Sequence, residues 1–477
     1  MVDTLVTNGT VVTQNDAREV LQDGTVAIHD GEIVAVGPTA EVTDRYDADE
    51  VVDASDHLVL PGLINAHTHV SDILFRGCWG DDRTLFDWLY NVKRPGVAAM
   101  DADDHRVAAE LYCLEAIKSG MTTFVENDAE MTWEEWDEIE TKLDTYDRSG
   151  IRSVYARGFM DQPVDDGYRS MVAEFTTKEP GVEHPDPENY VVETEAGLDE
   201  VASLIEQYHG TAEGRREIWI APVVVEGMTK EGLQKSYALA ERHDVMTTTH
   251  VSESQLQEQG RALSSVEYLS NIDYLGEHAL LAHCIHISER DARILAATDT
   301  RVSHNLIANL FLGSGLAPLD ALRNHGVTTC VSTDNASCSD TVNLLKDAQY
   351  ATLTHRGANA DSGVVSTQAA LDMVTRDAAR AMRKGDALGS LETGKRADVI
   401  LLDADRPHMT PVRDAVSAVI HQAQGHEVDT VICDGDIVMR DGVVTTLDES
   451  SILQRARETA TAVIERSGLD SLADHDR

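Results

Sequence analysis

The strongest chemical signal in this sequence is the pair His67 and His69, at the polar end of the stretch LVLPGLINAHTH over Leu58–His69. The apolar residues before them predict a buried strand, punctuated by Pro61-Gly62. Successive strand side chains point to opposite faces, so histidines one residue apart share a face and can aim two imidazoles at one point. That arrangement suits a metal ion, because imidazole nitrogen is a common ligand for zinc and iron. A single His-x-His pair is also compatible with two polar residues on a half-buried face. What decides between these is whether other ligating residues fall at the same place in the fold.

The elements that would bring them there recur from about residue 58 to 385. Apolar, β-branched runs predict strands at 58–69, 121–127, 152–157, 218–225, 245–250, 279–285, 301–305 and 327–334. Helices are expected between them at 102–119, 131–149, 198–208, 230–243, 288–297, 319–324, 341–351 and 367–381. Eight alternations of strand and helix predict an α/β fold, a (β/α)8 TIM barrel whose reactive groups sit at the C-terminal strand ends. His67 and His69 end the first strand, His250 the fifth, His283 lies on the sixth, His304 ends the seventh and Asp334 the eighth. Such ends converge on one mouth, and five histidines with an aspartate there predict a shared metal site.

The chain ends have a different texture. Residues 1–57 alternate in short strand-like runs separated by Asn8-Gly9, Asp30-Gly31 and Gly37-Pro38, of which Asp30-Gly31 is a strong hairpin signal. So small a sheet needs a partner, and residues 397–446 return to the same pattern. The expected organisation is a small β-sandwich domain built from both ends (1–57 and 386–446) around a barrel at 58–385, with a closing helix and tail at 447–477.

Composition narrows the setting. The 477 residues carry 84 acidic and 39 basic side chains, a formal charge of −45, and only nine of the bases are lysines. Self-repulsion on that scale is screened within about 3 Å at molar salt, so the evenly acidic surface reads as halophilic. The same charge argues against binding nucleic acid or an anionic membrane. The six cysteines form no CxxC pair and are expected to be buried and free. No run approaches 18 apolar residues and no leader is visible, so a cytoplasmic protein is expected.

At this point the sequence resembles the amidohydrolase superfamily, in the branch of methylthioadenosine/S-adenosylhomocysteine deaminases, other aminoheterocycle deaminases and triazine hydrolases. The resemblance rests on PGLINAHTH, HVSE at 250–253, LLAHCIH at 280–286, VSHN followed by LGSGLAPL, STDNASCSDTVNLL at 332–345 and GSLETGKRADVILLD at 389–403. It implies metal ligands His67, His69, His250 and Asp334, and a water whose pKa the ion lowers toward about 7. It also implies Glu253 as the acid/base group and His283 as a residue polarising the attacked centre; with Asp334 these make up the catalytic set. Two-metal relatives need a carboxylated lysine after strand 4. VVVEGM stands there and Lys230 is already helical, so one divalent ion per chain is expected, zinc rather than iron.

The substrate side is less defined. The segment 71–96, with Trp79, Phe86, Trp88, Leu89 and Arg76, is expected either to close over a flat ring or to pack a helix on the barrel. Arg157 is a candidate for binding an anionic or carbonyl group, and His304 and Asn305 for loop-fixing or substrate contact. The acidic loop 159–197 reads equally as a specificity loop or a surface insertion. Pro95-Gly96-Val97 stands where nucleoside deaminases of this branch carry a ribose-binding glutamate, and their Pro-His-x-Pro-Tyr stretch is replaced by APVVVEGM; both departures count against a methylthioadenosine-type substrate. The resemblance therefore implies hydrolytic deamination of a small N-heteroaromatic amine, in a dimer or larger homo-oligomer. The alternatives are a triazine-type hydrolase displacing chloride or alkylamine and, in another class, a metal-free barrel scaffold.

Overall fold

The computed structural model describes residues 1–78, 83–128, 136–162, 181–258, 262–339 and 341–473. Its strands are β1 (Val2–Val12), β2 (Val20–His29), β3 (Glu32–Pro38), β4 (Ala48–Asp53), β5 (His57–Pro61), β6 (Leu63–His69), β7 (Met121–Asp128), β8 (Arg152–Phe159) and β9 (Arg216–Pro222). They continue as β10 (Thr247–Val251), β11 (Ala279–His283), β12 (Arg301–His304), β13 (Thr329–Val331), β14 (Asp334–Asn335), β15 (Val399–Asp403), β16 (Val428–Cys433), β17 (Asp436–Arg440) and β18 (Val443–Val444).

The chain ends meet in one sheet ordered β18-β17-β16-β15-β5-β1-β2-β3, with β4 also paired to β1. Its seam is antiparallel β5 against β15, where Val59 faces Leu401 and Leu60 faces Ile400. Alternation splits these residues between two cores. Leu58, Leu60, Ile400 and Leu402 join the main core, while Val59, Val399 and Leu401 pack with Val6, Val11, Val26 and Ile28 in a second one. The β unit expected from the two chain ends is one continuously hydrogen-bonded sheet. The reason is that β1 carries β2 along one side and β4 then β5 along the other, leaving no gap between the N-terminal and C-terminal strands. The Asp30-Gly31 turn forms as expected, with φ of 51° and 74°, between antiparallel β2 and β3.

The stretch expected as a single strand over 58–69 is two strands in two sheets. Gly62 N–H donates to the Asp398 carbonyl at 2.9 Å, and Leu63 N–H to that of Gly120 at 3.0 Å, so the chain changes partners there. A Cβ at Gly62 would lie 2.1 Å from Thr122 Oγ1, which only glycine avoids.

The second sheet is parallel throughout, in the order β13-β12-β11-β10-β9-β8-β7-β6-β14. Its terminal members β13 and β14 are separated in the chain only by Ser332-Thr333, so the sheet curls until one short run meets both of its edges. Asn65 ties this run to β6: its Nδ2 donates to Thr333 Oγ1 at 2.8 Å and its Oδ1 accepts from Thr333 N–H at 3.1 Å. Helices follow the strands at Ala102–Lys118, Trp136–Ser149, Thr194–Tyr208, Lys230–His243, Glu289–Ala297, Leu319–Asn324, Leu344–Asn359 and Thr367–Met373. Several begin at capping boxes, with Asp101 and Ser288 accepting from the first-turn amides and Asp104 and Asp291 reaching back. The first five residues of the helix expected from Met131, residues 131–135, lie outside the described residues. Among the described residues no helix is long and apolar enough to cross a membrane.

Candidate functional site

The C-terminal strand ends bring together residues far apart in the chain. His67 and His69 project from the end of β6, His250 from β10 and His283 from the last position of β11, while Asp334 opens β14. Asp334 pairs in register with Thr68, which holds its carboxylate beside both flanking histidines. Its Oδ1 lies 3.5 Å from His67 Nε2 and 3.5 Å from His69 Nε2. The Nε2 atoms of His69 and His250 are 3.3 Å apart.

These contacts are poor hydrogen bonds but good ligand spacings. Atoms placed tetrahedrally about 2.0–2.1 Å from one ion lie about 3.3–3.4 Å from each other. His250 Nδ1–H donates to the Val223 carbonyl at 2.6 Å, so its Nε2 presents a lone pair to the centre. Both ring nitrogens of His67, His69 Nδ1, His283 Nε2 and Asp334 Oδ2 are buried without hydrogen-bond partners. Leaving a buried polar atom unpaired costs about 1–3 kcal/mol, so such a concentration of them fits residues that have a further partner when at work. Burial lowers the pKa of His67, His69, His250 and His283, keeping the imidazoles neutral as ligands must be. Burial also pushes Asp334 up, but the His67, His283 and His69 imidazoles more than offset this, and its carboxyl stays well below the usual range. The donor set of three imidazoles and one carboxylate fits a divalent ion such as zinc.

Glu253 Oε2 stands 3.7 Å from His283 Nε2. Burial, with the Asp334 charge second, pushes Glu253 up to about 8. Its backbone N–H and that of Ser254 donate to Gln257 Oε1 at 2.6 and 3.0 Å, pinning the turn that carries it. His283 Nδ1–H donates to Asn309 Oδ1 at 2.9 Å, which turns its Nε2 lone pair toward the centre. The backbone bends sharply at these strand ends: Ser252, His283, Cys284 and Asp334 have φ of 52°, 72°, 49° and 60°. Left-handed non-glycine residues cost about 1–3 kcal/mol each and collect where a side chain must be aimed.

Beside the centre lies a pocket of about 90 Å³ whose wall combines His69, His250, Glu253 and His283 with Leu85, Phe86, Trp88, Leu89, Met160, Val223 and Val224. An apolar slot ending in convergent polar groups is the form of a small-molecule site.

A model of the amidohydrolase family matches residues 58–438, most of the chain and all of the residues just described. The chain belongs to the amidohydrolase family. It is 32% identical to a 5-methylthioadenosine/S-adenosylhomocysteine deaminase of Desulforudis audaxviator over 93% of this chain and 95% of that one. It is 34% identical to an S-triazine hydrolase of Gordonia rubripertincta over 67% of each chain. In fold it is similar to an adenosine deaminase from Xanthomonas campestris with bound zinc, with a TM-score of 0.86, 22% identity and coverage of 97% and 99%.

Within this amidohydrolase the substrate-side expectations divide. Trp88 reaches the pocket wall with Phe86 and Leu89, whereas Trp79 and residues 163–180 of the acidic loop lie outside the described residues. Arg76 instead pairs with Glu115 at 2.6 Å. The other three candidates lie off the wall of this pocket. Arg157 is buried, its Nε donating to Glu200 Oε1 at 2.8 Å. His304 is buried against His355, with their Nε2 atoms 3.0 Å apart, and Asn305 accepts from Ser303 Oγ at 2.8 Å. Neither is on the pocket wall, although Asn305 Nδ2 lies 3.5 Å from Nδ1 of His283, which is. The sequence reading missed Lys93, Asn335 and Gln257, which do line the pocket, and Asn309, which orients His283. Only Lys93 carried a signal, as a lysine inside an aromatic segment of a lysine-poor chain.

Proposed function

We propose that this protein is a metal-dependent hydrolase that removes an amino group from a small N-heteroaromatic ring and releases ammonia. The observation that carries the reading is the group of unpartnered imidazole and carboxylate atoms of His67, His69, His283 and Asp334, beside buried Glu253 at the floor of an apolar pocket. His67, His69, His250 and Asp334 would hold one divalent ion per chain, and zinc suits their chemistry. When bound, the metal supplies Lewis acidity that makes a water nucleophilic near neutral pH.

The chain's own groups account for the rest. Glu253 takes a proton from the attacking water and passes it to the departing amine, a role its burial beside His283 at the pocket wall suits. His283, fixed by Asn309, positions water or substrate through Nε2. Trp88, Phe86 and Leu89 pack against the ring faces and exclude bulk water. The parallel sheet is read as a (β/α)8 barrel closed through 329–335, with the two chain ends forming a separate β unit at its foot.

The named relatives support this chemistry, being a deaminase of adenosine-type molecules and a triazine hydrolase. The test is metal analysis followed by ammonia release from aminopurines, aminopterins and aminotriazines. About one zinc per chain with ammonia from at least one amine is expected. Release of chloride or alkylamine without ammonia would favour the triazine-type reaction, and protein with neither metal nor turnover after zinc is added would overturn the hydrolase reading.

A further inference from the structure

A cavity of about 700 Å³ opens at the other end of the parallel sheet, where the N-terminal ends of β12 and β13 meet the chain-end sheet. Arg301 reaches it from the start of β12, Arg376 and Arg380 from the helix Arg376–Ala381, Arg383 from just past that helix and Lys395 from the run into β15. Five of the chain's 39 basic side chains thus meet on one wall of a protein whose charge is −45. Among the described residues no apolar side chain lines this wall, so it offers nothing to the flat ring that the Trp88 pocket suits.

The wall also holds Asp16, Glu277, Asp386 and Glu392, but the two signs are sorted by depth. Side-chain exposure is 9% for Arg301, 11% for Arg376 and 16% for Lys395, against 93% for Asp16, 56% for Glu277 and 44% for Glu392. Ion pairs with an acid that stands in water are worth about 0–1 kcal/mol, and less in strong salt, so the rim compensates the inner cations poorly. Arg301 Nε is buried without a hydrogen-bond partner, while the other two nitrogens donate to the Glu277 carbonyl and to Asp299. Arg380 makes its nearest ion pairs, with Asp16 and Asp377, only at 3.8 Å. Burial lowers the pKa of Arg301 and of Lys395, and the neighbouring charges of Arg383 and Arg376 add to that lowering.

We propose that this cavity is a binding site for a compact anion bearing several phosphoryl groups, separate from the catalytic pocket and independent of the hydrolase reading. Guanidinium groups present paired N–H donors that match phosphate oxygens, and here they converge from a strand, a helix and a loop around one volume. That volume falls within the range of small-molecule sites, about 300–1,000 Å³. The phosphoryl groups can be those of a free polyphosphate or of a nucleoside triphosphate.

The experiment is calorimetric titration in 1 M potassium chloride, where general attraction is screened. The probes are trimetaphosphate, ATP and the tricarboxylate tricarballylate, added to zinc-loaded wild type, Arg380→Gln and Arg376→Gln alike, so that any zinc drawn off by a probe affects all three proteins equally. One trimetaphosphate or ATP per chain is expected, held about 10-fold or more tighter than tricarballylate. Either substitution should weaken that binding about 10-fold or more while zinc content and turnover without the anion stay unchanged. Tighter binding of ATP identifies a nucleotide as the source, and tighter binding of trimetaphosphate a free polyphosphate. Absence of binding, equal binding of tricarballylate, or affinity unchanged in Arg380→Gln overturns the proposal. Arg376 pairs with Asp16 at 2.6 Å and its loss can disturb folding, whereas Arg380 is half exposed, so Arg380→Gln decides if the other variant does not fold.

Discussion

His69 and His250 are 181 residues apart in the chain, yet their Nε2 atoms lie 3.3 Å from each other. Two neutral imidazoles gain little from that contact, since His250 has its proton on Nδ1 for the Val223 carbonyl. The approach is what a common third partner requires. His250→Ala should therefore reduce bound zinc to well under one per chain, and a chelator should lower the melting temperature of wild type while leaving the variant almost unmoved. Plasma emission and scanning calorimetry read both, and full zinc content in the variant would exclude His250 as a ligand.

Glu253→Gln preserves shape and the Gln257 contacts to the backbone but cannot carry a proton. Turnover should drop about 10²-fold or more with zinc content unchanged. Near-normal kcat would take Glu253 out of the reaction.

Asp72 is wholly buried and pushed up to about 6 by that burial. An unfolded aspartate titrates near 4, so between about pH 4 and 6 the folded state holds the extra proton and stability falls as pH rises through that window. A shift of two units corresponds to about 3 kcal/mol. Asp72→Asn has no such proton to lose, so its melting temperature relative to wild type should rise from pH 4 to pH 7. Parallel curves for the two proteins would contradict this.

Lys142 is fully buried between Glu126 and Asp128, with Asp128 Oδ2 at 3.1 Å and Ser71 Oγ at 3.3 Å from its ammonium. Through Ser71 this cluster supports the turn that follows His69. Lys142→Met strands two carboxylates in the interior and should cost about 3–5 kcal/mol in denaturant unfolding. Adding Glu126→Gln should recover part of the loss, and two independent, additive effects would refute the coupling.

A charge of −45 repels itself over about 30 Å in 0.01 M salt but only about 3 Å at 1 M. The melting temperature should fall steadily as salt is reduced across that range. An unchanged value would refute adaptation to high salt.

The sequence by itself determined what depends on near neighbours. Strand runs, helix caps and the Asp30-Gly31 turn follow from local sterics and polarity, so β7, β8, β11 and β12 and the helix Lys230–His243 fall close to their expected places. His67, His69, His250, His283 and Asp334 were legible as a group because strand ends in a parallel sheet converge wherever the intervening helices lead. Only the tertiary structure decided which side chains face the mouth. Arg157, His304 and Asn305 look as reactive in sequence as His283, but their hydrogen bonds go to Glu200, His355 and Ser303 and they are absent from the pocket wall. The break at Gly62 depends on Thr122 and Asp398, and the pocket position of Lys93 on how a loop folds over Trp88. Those are contacts between distant segments, and no pattern of neighbouring residues encodes them.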